Sequence, residues 1–166
     1  DHPLAEAFYL EENWHCLAAR VAITVHRHDA YERFCLDYAR FKSRFLLDGD
    51  DVPPEMRGAF AATSLVPPPN TATAGVGEVL AAAVEVARAR GEDSEAERAR
   101  LRNVLEFLLR QQWDATACVV CSKPQLVVGG FSDSMLRPEL RIDFTQHAWA
   151  ALGHGGRALG LVEPRS

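Results

Sequence analysis

Gly129-Gly130-Phe131, followed by Arg141-Ile142-Asp143-Phe144-Thr145-Gln146-His147-Ala148-Trp149-Ala150-Ala151-Leu152, is the stretch on which the reading of this chain turns. The glycine pair turns the chain, and a charged loop follows. Asp143 stands where a helix N-cap is expected, its carboxylate accepting from the N–H of Thr145 or Gln146. A helix is therefore expected from Asp143 to near Gly153, with His147 one turn inside it. Beyond Gly155-Gly156, residues 157–166 are expected to form an irregular tail.

Outward from that point the sequence reads as helices and breaks. Ser94 with Glu97 has the spacing of a capping box and opens a helix to about Gln112, with Leu101, Val104, Leu105, Leu108 and Leu109 facing inward. Before it, Asn70 or Thr71 opens a helix to about Arg90, with Gly91 as the residue that ends it. This helix is rich in Ala and Gly, which suits an element surrounded on most sides, and Glu78 is the one acid of its first half. Asp29 and Glu32 mark another start, and Tyr31, Phe34, Cys35, Tyr38, Phe41, Phe45 and Leu46 make its apolar face. Lys42 falls with the arginines on the other side. The first helix is expected from Leu4 to about Val25, with a stripe through Phe8, Trp14, Leu17, Val21 and Val25.

The breaks alternate. His26-Arg27-His28 and Glu92-Asp93 are short. Asp50 to Asn70, interrupted by Pro53, Pro54, Pro67, Pro68 and Pro69, is long, and so is Trp113 to Ile142, where Val127-Val128 is expected as a short strand. Antiparallel hairpins linked in this way place both long loops at one end and both tight turns at the other. The fold class is therefore all-α: antiparallel helical hairpins, with a cleft expected at the long-loop end. One domain over residues 1–156 accommodates the pattern.

The alternation resembles an α/α toroid, the architecture of six-hairpin glycosidases, sugar epimerases and terpenoid-cyclase-like proteins. Two segments carry the resemblance: Asn70-Thr-Ala-Thr-Ala-Gly-Val-Gly-Glu78, leading into the Ala-rich helix, and Phe107-Leu-Leu-Arg-Gln111-Gln112 with Gly129-Gly130-Phe131 and Asp143 to Leu152. The chain holds about two and a half hairpins, where a ring needs five to seven. It opens on Asp1-His2-Pro3, and a portion of a larger ring is expected. The resemblance implies a carbohydrate-active protein, a glycosidase, lyase or epimerase, with Glu12, Glu78, Asp143 and His147 at the chemistry and Trp14, Trp149 and Gln146 on the ligand. The alternative is a non-catalytic helical module for packing or partner binding. The acid-rich motif of the terpenoid cyclases is not seen. The implied partners are the rest of a parent chain, or a second copy held through surface that the small-residue helix exposes, and a saccharide ligand.

The same residues can be weighed without the resemblance. Glu11 or Glu12 lies one helical turn from His15, a spacing that suits an acid tuned by a neighbour or an ordinary ion pair. Glu78 with Glu12 would give the two carboxylates that glycoside hydrolysis uses. His147 suits a base, a ligand or a hydrogen-bonded core residue. Cys118 and Cys121 are spaced for zinc, with His147, or Cys16 and His15, to complete the set, but a second such pair is missing and no cofactor is expected. Cys16 and Cys35, inside helices, read as small apolar residues. The 166 residues are 48% hydrophobic with a net charge of −5, which supports a core and argues against a general nucleic-acid binder. No apolar run reaches the roughly 20 residues of a membrane span.

Overall fold

The computed structural model describes residues 13–63, 65–119 and 121–163. Among them are five α-helices and one two-stranded hairpin: α1 (Trp14–Ala22), α2 (Asp29–Ser43), α3 (Asn70–Arg90), α4 (Glu95–Gln111), β1 (Ser132–Ser134), β2 (Arg137–Leu140) and α5 (Ile142–Leu159). The fold is mostly helical, and no described helix is long and apolar enough to cross a membrane.

α3 is the centre. It packs against α1, α2, α4 and α5, and every residue from Thr73 to Val84 is buried. Its small residues explain this. A Cβ at Gly77 would lie 3.1 Å from both Ala151 of α5 and Val104 of α4, so hydrogen at that position lets three helices meet. Fully buried Val76, Val79, Leu80 and Val84 each contribute about 1.5–3 kcal/mol of hydrophobic stabilisation. Among the described residues, the four neighbouring helices cover α3.

Cross-links give the helix directions. Glu78 meets His147 and Arg88 reaches the carbonyl of Ala158, so α3 and α5 run parallel. Trp14 meets His147 and Arg20 meets His154, so α1 runs the same way. The tight turns gather at one end: Arg27 donates to the Ala89 carbonyl, and Arg90 donates to Asp29 at 2.8 Å and Glu32 at 3.1 Å. At the other end the long loops touch, as Asn70 Nδ2 donates to the Ser132 carbonyl and Arg110 to the Arg57 carbonyl. Gly58, at φ +90°, lies against the backbone of Asn103, where a side chain has no room.

Several local expectations are corrected. The described part of the first helix starts at Trp14 and stops at Ala22, and residues 1–12, with Glu11, Glu12 and Phe8, lie outside the described residues. Its buried residues are Cys16 and Ala19, whereas Trp14, Val21 and Val25 are exposed. The phase is set by a Cys16–Cys35 disulfide that ties α1 to α2, so these cysteines are a cross-link instead of free apolar residues. On α2, Tyr31 and Phe34 are exposed, while Glu32 and Lys42 are buried. Charge partners override polarity here: Glu32 lies beneath Arg27 and Arg90, and the Lys42 ammonium sits 5.4 Å from the Tyr38 and Phe60 ring centres.

The caps are corrected as well. Asp29, Ser94 and Asp143 make no side-chain cap bond. Asp29 pairs with Arg33 and Arg90, and Asp93 accepts from the N–H of Glu95 in place of Ser94. α5 starts one residue early, with Asp143 inside its first turn, where a carboxylate favours the helix dipole. It also continues through Gly153, Gly155 and Gly156 to Leu159, and Gly160, at φ +75°, ends it. Glycine at 155 lets α4 lie close: a Cβ there would fall 2.8 Å from Leu105. Val127-Val128 is not a strand but follows a 3₁₀ turn, Pro124–Leu126; the paired strands are β1 and β2.

Candidate functional site

Glu78 projects from the third turn of α3 towards the gap between α1 and α5. Its side chain is 5% exposed, and His147 of α5 lies against it, with Nδ1 2.7 Å from Oε1. An ionised carboxylate only accepts, so the imidazole Nδ1–H donates and Nε2 carries the lone pair. Burial pushes the Glu78 carboxyl above its ordinary value of 4.5, against the opposing pull of the His147 hydrogen bond and of the His147 and Arg20 charges. The indole of Trp14 lies beside the imidazole, tilted 60° to it with ring centres 6.1 Å apart.

His147 and Trp14 open onto a cavity of about 520 Å³ at the long-loop end, within the range of small-molecule sites. Asn13, Phe60 to Thr63, and the first turn of α3 form its other walls. Thr73 holds the loop there, accepting from the N–H of Phe60 at 3.0 Å and donating to the Pro69 carbonyl. Gly75 admits the Asn13 side chain onto α3, and any side chain at Gly75 would displace it. The walls are largely apolar. The Thr71 hydroxyl is a buried polar group in them, with no hydrogen-bond partner among the described residues.

The candidate residues separate. Glu78, His147 and Trp14 come together, and Glu12 lies outside the described residues. Asp143 is held by Arg141 through two 3.0 Å bonds, and Gln146 is exposed. Trp149, two residues from His147, points away: its Nε1–H donates to the Gly129 carbonyl at 3.2 Å, and its ring meets Phe131 edge to face. His15 lies between α1 and α2, beside Phe34 and Tyr38.

Zinc at Cys118 and Cys121 is corrected too. The two sulfurs are joined as a disulfide, which removes the thiolates zinc requires, and His147 is engaged by Glu78. No group of three or more metal-ligating side chains occurs among the described residues.

A second polar cluster was not anticipated. Two turns beyond His147, His154 receives Arg20 Nη1 at 2.6 Å and Arg157 Nη2 at 2.8 Å on the same nitrogen, Nδ1. Glu85, two turns beyond Glu78, lies 3.8 Å from Arg20 Nε. The signal was present in the sequence as two seven-residue repeats, Glu78/Glu85 and His147/His154, each two helical turns.

No protein-family model, no curated protein and no solved structure matches this chain.

Proposed function

We propose that this chain is part of a carbohydrate-active enzyme of the α/α-toroid kind, in which His147 transfers a proton and Glu78 positions it. The observation that carries the reading is the 2.7 Å contact between His147 Nδ1 and a buried carboxylate, with the ring opening onto the cavity. A carboxylate on Nδ1–H fixes the tautomer and stabilises the imidazolium that forms when Nε2 accepts a proton, as in hydrolase triads. A base of this kind suits removal of a proton next to a carbonyl or carboxylate carbon. In an epimerase His147 then gives its proton up to solvent and a solvent proton is added on the other face; in a lyase the proton goes to the departing oxygen. Because Glu78 is engaged by His147, these chemistries are favoured over hydrolysis by two independent carboxylates. Trp14, 59% exposed at the cavity, offers a flat apolar face to a sugar ring.

The test is proton NMR in deuterated water with aldoses, uronic acids and short oligosaccharides, comparing wild type with folded His147→Gln. Deuterium incorporation, a new epimer or an unsaturated product in wild type alone supports the reading. A panel that neither binds nor reacts leaves the non-catalytic helical module as the better account.

A further inference from the structure

Arg20 and Arg157 come from different helices, yet both place a guanidinium nitrogen within 2.8 Å of one imidazole nitrogen. Arginine only donates, so His154 Nδ1 is the shared acceptor and its ring carries the proton on Nε2. One lone pair cannot satisfy two strong donors. Bringing two cations onto a neutral ring is unfavourable unless something negative joins them. Among the described residues, Glu85 lies 3.8 Å from Arg20 Nε and the Glu78 carboxyl also feels the Arg20 charge, but neither pairs with Arg157. Arg157 has no acid partner among the described residues and is exposed to solvent. Among the described residues the cluster therefore has more donors than acceptors, and Arg157 places it where a small solute can reach.

We propose that Arg20 and Arg157 form an oxyanion subsite, which takes a carboxylate or phosphate group between their guanidinium forks, with His154 holding the two side chains together. Planar guanidinium groups suit this role because each can give two parallel N–H bonds to one oxyanion. The histidine is built to stay neutral beside them. Burial first, then the charges of Arg20 and Arg157, hold it below its ordinary value of 6.5. The ligand is a small oxyanion, free or carried on a larger molecule. The subsite stands on the same face of α5 as His147 and two turns further along, but it does not depend on His147 being catalytic.

Isothermal titration of the whole chain at constant ionic strength separates the outcomes, with inorganic phosphate, glucuronate and glucose as probes. The expected result is saturable binding of phosphate, glucuronate or both, and none of glucose that depends on the arginines. Which anion binds tells a phosphate from a carboxylate source. Either Arg157→Gln or Arg20→Gln is expected to weaken binding about tenfold or more, the loss of one charge-assisted contact. Arg157 is exposed, so its variant folds, which a thermal melt verifies. No saturable anion binding by wild type, or unchanged affinity in folded Arg157→Gln, overturns the proposal.

Discussion

Glu78 Oε1 and His147 Nδ1, on parallel helices and 69 residues apart in sequence, lie 2.7 Å from one another, and His147 lines the cavity. The pair works as a unit: α3 buries the carboxylate, and the carboxylate orients a ring that faces the cavity.

Burial of Glu78 has a measurable signature. Its native pKa lies above its unfolded value of about 4.5, so the native state binds the proton more tightly. Its contribution is most favourable at acid pH and declines as pH rises from there through the native pKa. Glu78→Gln does not titrate. The melting temperature of the variant relative to wild type is therefore expected to rise with pH above about 4.5, and a constant or falling difference would contradict the burial argument.

Glu32 is expected to behave in the opposite way. Its hydrogen bond to Arg27, joined by Arg90, holds the carboxyl below its ordinary range. The stabilisation is complete above the unfolded pKa and is lost as pH falls through the native one. Glu32→Gln is expected to cost roughly 2 kcal/mol at neutral pH, the scale of a charged hydrogen bond. The gap between it and wild type closes on acidification, as read by urea denaturation at several pH values.

The two disulfides differ in reach. Cys16–Cys35 links positions 19 apart and Cys118–Cys121 positions 3 apart. A cross-link restrains the unfolded chain more when its loop is longer. The double Cys→Ser variant of Cys16 and Cys35 is expected to lose about 3 kcal/mol in denaturant unfolding. The same change at Cys118 and Cys121 should lose distinctly less, and the reverse order would refute the assignment.

Two glycines of α5 give a paired test of helix packing. Gly153 has open space around it, its nearest neighbour being Arg157 Nη1 at 3.9 Å, whereas Gly155 faces Leu105 at 2.8 Å. Gly153→Ala is expected to stabilise by up to about 1 kcal/mol through helix propensity. Gly155→Ala is expected to destabilise by about 1–3 kcal/mol through overpacking. Thermal melts of the two variants should move in opposite directions.

These cases show what the sequence makes legible. The Ala- and Gly-rich run of α3 predicted its enclosure, and the alternation of short and long breaks placed the cavity at the long-loop end. Glu78, His147 and Trp14 were among the residues the toroid resemblance implied, but the sequence paired Glu78 with Glu12 and not with His147. Pairings between distant residues were not legible. Cys16–Cys35 reset the phase of α1, and Arg27 and Arg90 drew Glu32 inside against its polarity. The last helix read as stopping near Gly153, because single-sequence propensity cannot show that Leu105 fills the space a side chain at Gly155 would take. Asp143 resembled a cap, yet Arg141 claims it. Trp149 falls on the opposite face from His147, which a two-residue separation on a helix already implies.

The most direct test of the Glu78–His147 unit is nitrogen NMR of histidine-labelled protein, followed up to alkaline pH. The account predicts the less common tautomer for His147, with the proton on Nδ1 and donated to Glu78, and loss of that preference in Glu78→Leu. A neutral His147 protonated on Nε2 in the wild type would contradict it.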